Sequence, residues 1–248
     1  MDVEITEKLL KLWTKYFGES PLPVCFYYTD TEHVAKPAYT DTPRRCVIQA
    51  VYDVTEGKSL RLDTESVPCA GGKRYLGFTR TIRPDFEYFL SCGIPGKVRG
   101  ELYKKTPELV RQSVAVEPAF TAPGNVVVFK RWDTLEASDD PQVVIFFAEP
   151  DLIAGLFTLA NFDRAEPNGV FCPFGSGCST VIRYPYLETA LTHPRAVIGL
   201  FDISARPYLP PDMMSFSVPF KRFVEMMENI EDSFLITESW SRIRNRMP

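Results

Sequence analysis

Two stretches of this chain, "NVVVFKRW" and "QVVIFFAE", carry unbroken runs of valine, isoleucine and phenylalanine. Such side chains pack well on a pleated surface. Because polar residues do not alternate with them, neither face of the strands can meet water, and the sheet they form must be covered on both sides. "PVCFYYTD" and "RAVIGLFDIS" read as further buried strands, and "SLRLDTE" as a shorter one.

Helical patterns alternate with these runs. Ile5, Leu9, Leu12, Trp13, Tyr16 and Phe17 recur at helical spacing until Gly18 stops them. "DTPRRCVIQAVYDVTEG" offers Asp41 or Thr42 as a cap, Pro43 at the first helical position and Gly57 as the stop. Residues 106–116 place Leu109, Val110 and Val114 on one face, and "DLIAGLFTLANF" is an apolar helix capped by Asp151. "PFKRFVEMMENI" turns Phe220, Phe223, Val224 and Met227 inward, and a short basic surface helix follows Ser239. "DTLEASDDP" reads as an exposed acidic connection. The rhythm predicts an α/β protein, a mixed sheet with flanking helices and some parallel pairing.

Composition narrows the function. A formal net charge of -4 argues against a general nucleic-acid binder, which carries a basic excess or patch. Lys73-Arg74 and the cluster from Arg242 to Arg246 read as solvated faces. The opening "MDVEITEKLLKLW" places acids where a signal peptide needs positive charge, and no run is long enough to span a membrane. The expectation is a cytoplasmic protein whose six cysteines are reduced thiols, none of them in a CxxC pair.

A repeat is also expected. "PVCFYYTD" matches "VVIFFAEP" in pattern, and the helix ending "QAVYD" matches the one ending "LANFD". Each is followed by a glycine-rich corner with a cysteine, and then by a closing helix, "PELVRQSV" or "FKRFVEMM". This predicts an internal duplication, residues 1–122 and 123–248, with the two α/β halves packed together as one globular unit.

The corners, "PCAGG" and "GSGCS", hold the candidate chemistry. A cysteine at a helix N-terminus sits among orphan N–H groups and the positive end of the dipole, which favour a thiolate. Flexible glycines let backbone amides approach an anion. Cys69, Gly71, Gly72, Gly175, Gly177 and Cys178 are therefore candidate ligand contacts, and the two thiols are expected to border one pocket. Asp202, Ser204 and Arg206 follow a buried strand, where ligands bind in open α/β sheets, although a solvated strand end has the same pattern. Arg183 joins Arg206 as an anion contact. Cys25, Cys92 and Cys172 read as packing residues. His33 and His193 both read as surface residues. Neither corner matches a phosphate loop or a dinucleotide fingerprint. A metal ion or iron–sulfur cluster on Cys46, Cys69 and Cys178 stays open, although clusters usually need a compact run of about four cysteines.

The combination of "RRCVIQA", "VPCAGGKRYLGF", "VVVFKRWDTL", "PQVVIFFAEPDLIAGLFTLANFD", "FGSGCSTVIRYPYLE" and "RAVIGLFDISARP" resembles the DUF169 proteins, once labelled archaeal cysteine-rich, over most of the chain. The resemblance implies marked cysteine positions at Cys46, Cys69 and Cys178 and supplies no reaction. The leading expectation is a small molecule, anion or cofactor bound between the halves, in a pocket lined by thiols and glycines. An enzyme using one thiol as nucleophile or redox centre, and a structural or partner-binding protein with core cysteines, are the alternatives.

Overall fold

The computed structural model describes residues 3–31 and 46–247. The Asp41, Thr42 and Pro43 cap and His33 lie outside the described residues. In chain order the elements begin with α1 (Val3–Phe17), β1 (Val24–Thr29), α2 (Val47–Tyr52), β2 (Leu60–Asp63), α3 (Ala70–Tyr75), α4 (Phe86–Phe89) and α5 (Pro107–Val116). They continue with β3 (Val126–Arg131), β4 (Val143–Ala148), α6 (Pro150–Asn161), β5 (Val170–Phe171), α7 (Tyr184–Glu188), β6 (Ala196–Gly199), β7 (Met214–Pro219), α8 (Phe220–Glu228) and α9 (Glu238–Arg244).

The strands form one sheet in the order β2-β3-β1-β4-β7-β6-β5. Every pairing is antiparallel except β5 with β6. The sheet is thus mixed, as the sequence predicts. Both faces are covered, because alternate residues of the same strands enter different cores. Val143, Ile145 and Phe147 of β4 join Val24 and Phe26 of β1 under α2 and the loops that follow it. Val144, Phe146 and Ala148 face the other way, toward α1, α6, α8 and Trp240 of α9.

Strand β7 escapes the reading of apolar runs, although Met214, Ser215, Phe216, Ser217 and Val218 alternate strictly. The alternation does not mean exposure on one side, since Ser215 and Ser217 are fully buried. The acidic connection after β3 departs from expectation as well. Asp139 is buried, and its carboxylate accepts from Lys130 Nζ at 2.8 and 3.0 Å and from the Tyr27 hydroxyl. Burial opposes this charge, but those hydrogen bonds outweigh it and hold the Asp139 carboxyl below its ordinary range.

The architecture does not show the expected duplication. Its proposed equivalent strands, β1 and β4, are adjacent and antiparallel. An axis exchanging two such strands runs normal to the sheet and preserves its faces, so equivalent helices would share a face. Instead α2 packs in the core containing Phe26, and α6 in the core containing Phe146. The recurrence in sequence reflects the alternation of strands and helices. Strands from residues 1–122 and 123–248 interleave in the single sheet, β1 lying between β3 and β4.

Candidate functional site

A cleft of about 760 Å³ opens on the α2 side of the sheet. Several short stretches build its walls. Gly71 and Tyr75 come from α3, Phe86 and Phe89 from α4, and Val110, Ser113 and Val114 from one face of α5. The N-cap of α5 is Thr106, whose Oγ1 accepts from Leu109 N at 3.2 Å. Opposite stand the segment 172–176, Tyr184, and the segment 201–204. Phe174, Phe201 and Ile203 line the cleft yet remain exposed, leaving an open apolar rim.

The two loops from the second half are joined by Asp202. Its Oδ2 accepts the backbone N–H of Gly177 at 2.8 Å, and its Oδ1 accepts from Ser204 N at 2.9 Å and Ser204 Oγ at 2.7 Å. Tyr103 lines the cleft with Ser204, and burial pushes the Tyr103 hydroxyl up from its ordinary value. Three non-glycine residues with left-handed backbone, Asp85 (φ 58°), Leu102 (φ 56°) and Leu200 (φ 70°), stand directly beside the lining residues Phe86, Tyr103 and Phe201. Such conformations each cost about 1–3 kcal/mol and persist where the surroundings impose them.

Helical backbone runs through residues 177–188, with a π turn over Ser179–Arg183. Pro185 explains the widening. It has no N–H to donate to Val181, and its ring would crowd that carbonyl in a regular α-helix. The turn leaves all five of its residues buried, including Arg183. The Arg183 guanidinium lies over the rings of Tyr75 (5.0 Å) and Tyr184 (4.9 Å), and Nη1 donates to Glu117 Oε2 at 3.2 Å. All three partners line the cleft.

Of the residues singled out from sequence, Gly71, Gly175, Asp202 and Ser204 line the cleft directly. Gly72 and Gly177 are packing positions. A Cβ on Gly72 would come 2.6 Å from Val47 Cγ2, and one on Gly177 would come 3.1 Å from both Ile48 Cγ1 and Ala205 Cβ. Arg206 faces away from ligand duty, its guanidinium donating to the carbonyls of Met213, Pro210 and Pro211. His193 is exposed and lies outside the cleft lining.

The thiols gather behind the wall rather than on it. Cys69 caps α3, its Sγ accepting from Gly72 N at 3.2 Å. Cys178 lies within electrostatic reach of Cys69, Cys46 and Asp202. The thiolate expected at Cys178 is not favoured. Burial pushes the Cys178 thiol well up, with the neighbouring thiols and Asp202 adding to it, and burial also raises Cys46. The Gly177 amide that would have stabilised an anion is already taken by Asp202. Among the described residues no group of three or more His, Cys, Asp or Glu side chains is arranged to hold a metal ion, so the metal set Cys46, Cys69 and Cys178 is not supported. All six cysteines are free, and Cys172, read from sequence as a packing residue, is exposed on the cleft wall; Cys92 is exposed too.

Sequence reasoning missed the aromatic wall and Glu117. The signal for the wall was present in "RPDFEYFL", where Phe86 and Phe89 share a helical face without a matching strand to cover them. Glu117 carried none, since it meets Arg183 only in three dimensions.

No helix among the described residues is long and apolar enough to cross a membrane. Comparison with curated proteins and with solved structures gave no match. A family model does match, over residues 15–229. The span takes in the whole sheet, both corners and every wall of the cleft, and the chain belongs to the uncharacterised ArCR family DUF169.

Proposed function

We propose that this protein binds a small organic molecule with a flat apolar body in the cleft between α3, α4, α5 and the loops 172–176 and 201–204. The observation that carries the reading is the lining itself. Aromatic rings from six separate stretches of chain converge on a volume of about 760 Å³, with Ser113, Ser176 and Tyr103 as placed polar groups. Ligand sites have this make-up, mostly apolar with a few fixed hydrogen-bonding groups. The exposed rings of Phe174 and Phe201 support it too, because an apolar ligand would cover surface that now meets water. Gly71 and Gly175 let the ligand approach backbone, and the thiol on the wall is that of Cys172.

The test uses the neutral fluorophore phenylnaphthylamine with the intact protein. Wild type should enhance its emission saturably, and Ser113→Trp, which fills the cleft from α5, should abolish the enhancement while the near-UV circular dichroism stays that of a folded chain. Equal binding by both proteins would place the dye elsewhere and sink the proposal.

A further inference from the structure

Directly behind Tyr75, Tyr184 and Glu117 of the cleft lining, two arginine side chains meet a single carboxylate. Arg183 is 3% exposed, and only its Nη1 has a hydrogen-bond partner, Glu117 Oε2. Its Nε and Nη2 are buried without one. Arg74 Nη2 donates to the same Glu117 oxygen at 3.2 Å, and Arg74 Nε is also buried and unmatched. Two guanidinium groups therefore share one oxygen of one carboxylate, and three N–H-bearing nitrogens around it go unanswered. Removing a cation from water is costly unless an anion and good hydrogen bonds replace the solvent. The tyrosine rings on Arg183 offset part of that cost, each ring face supplying an attraction weaker than a full ion pair.

We infer that the cleft's ligand is an organic acid, whose carboxylate or phosphate enters beside Glu117 between Tyr75 and Tyr184 and takes the free N–H groups of Arg183 and Arg74. The inference rests on the proposed binding cleft and adds the chemical class of its ligand. A second anion balances the second cation, and the planar guanidinium offers the paired donors that such oxyanions accept side by side. The apolar body then extends along the aromatic wall toward Phe174 and Phe201. Lys104 at the rim is held 4.3 Å above the Phe174 ring.

The experiment compares two dyes with the same rings, anilinonaphthalene sulfonate, which is an anion, and neutral phenylnaphthylamine. The sulfonate should bind wild type about tenfold more tightly or better, as a charge-assisted hydrogen bond gained in a buried site would give. Arg183→Gln should weaken the sulfonate by about that factor and leave the neutral dye unchanged, and Arg183→Lys should recover part of the loss. Arg74→Gln, at a less buried position, supplies the same comparison if Arg183→Gln does not fold. Equal affinities for both dyes, unmoved by either arginine variant, would overturn the anion while leaving the cleft standing. Failure of wild type to bind either dye would overturn the cleft and the acid together.

Discussion

Asp202 and Gly177 lie 25 residues apart in sequence, and the carboxylate of one accepts the backbone N–H of the other at 2.8 Å. This bond closes the loop before the π turn onto the loop after β6, so both cleft walls from the second half move as one. It also occupies the first free N–H of the helix that begins at residue 177. Asp202→Ala should cost about 1–2 kcal/mol in urea unfolding, as the loss of a capping carboxylate does. It should also weaken binding of the neutral dye, because Ser204 loses its acceptor as well. Unchanged stability together with unchanged dye affinity would show that the joint is dispensable.

The two adjacent glycines of α3 should answer differently to the same change. A Cβ on Gly71 meets nothing within 4 Å, whereas on Gly72 it would press on Val47 Cγ2 at 2.6 Å and Val67 Cγ1 at 2.9 Å. Gly71→Ala should be neutral or stabilising by up to about 1 kcal/mol, from the helix propensity alone. Gly72→Ala should destabilise by about 1–3 kcal/mol through overpacking. Thermal unfolding of the pair settles it, and equal midpoints would count against the close seating of α3 on α2.

Thiol labelling should sort the cysteines by burial. With iodoacetamide and the folded protein, Cys92 and Cys172 should be alkylated first, while Cys25 and Cys178 should wait for unfolding. Both buried thiols are pushed well up by desolvation, which keeps them protonated as well as inaccessible. Saturating dye should protect Cys172, which lines the cleft, and leave Cys92 unprotected. Peptide mapping that found Cys178 among the fast-reacting sites would contradict the packing of the π turn.

Acid should loosen the contact between α6 and α8. Asp163 accepts from both terminal nitrogens of buried Arg222, and that pairing, against some opposing desolvation, lowers its carboxyl from 3.8 to about 2. A folded-state value below the unfolded one adds stability that is complete above about pH 4 and disappears as the pH falls toward about 2. Urea midpoints measured across that window should therefore fall, and Asp163→Asn should flatten the decline. At neutral pH the same variant should cost about 1–3 kcal/mol. Arg222 keeps Glu225 and the Ala160 carbonyl, so the guanidinium is not wholly abandoned. An undiminished pH dependence in Asp163→Asn would assign the acid sensitivity to other carboxylates.

What the sequence determined by itself is local. Unbroken apolar runs such as "VVIFFA" demand a doubly covered sheet whatever their partners, because neither face tolerates water. Thr106 and Pro107 start a helix wherever it docks, since the cap and the fixed φ act within one turn. Lys130 and its buried partner Asp139 were not legible this way, because the sequence offers the acidic connection only as an exposed one. Only the tertiary structure decided which face each helix covers, and that undid the repeat, because a linear pattern carries no record of sheet side. It alone separated Gly71 from Gly72, which are chemically identical and differ only in what lies against them. It brought Cys46, Cys69 and Cys178 together yet buried Cys178, whose thiol a helix N-terminus would have activated, since desolvation depends on neighbours distant in sequence. The shared oxygen of Glu117 between Arg74 and Arg183 is of the same kind, joining residues 43 and 66 positions apart. Charge balance at that distance is a property of packing, and no local pattern encodes it.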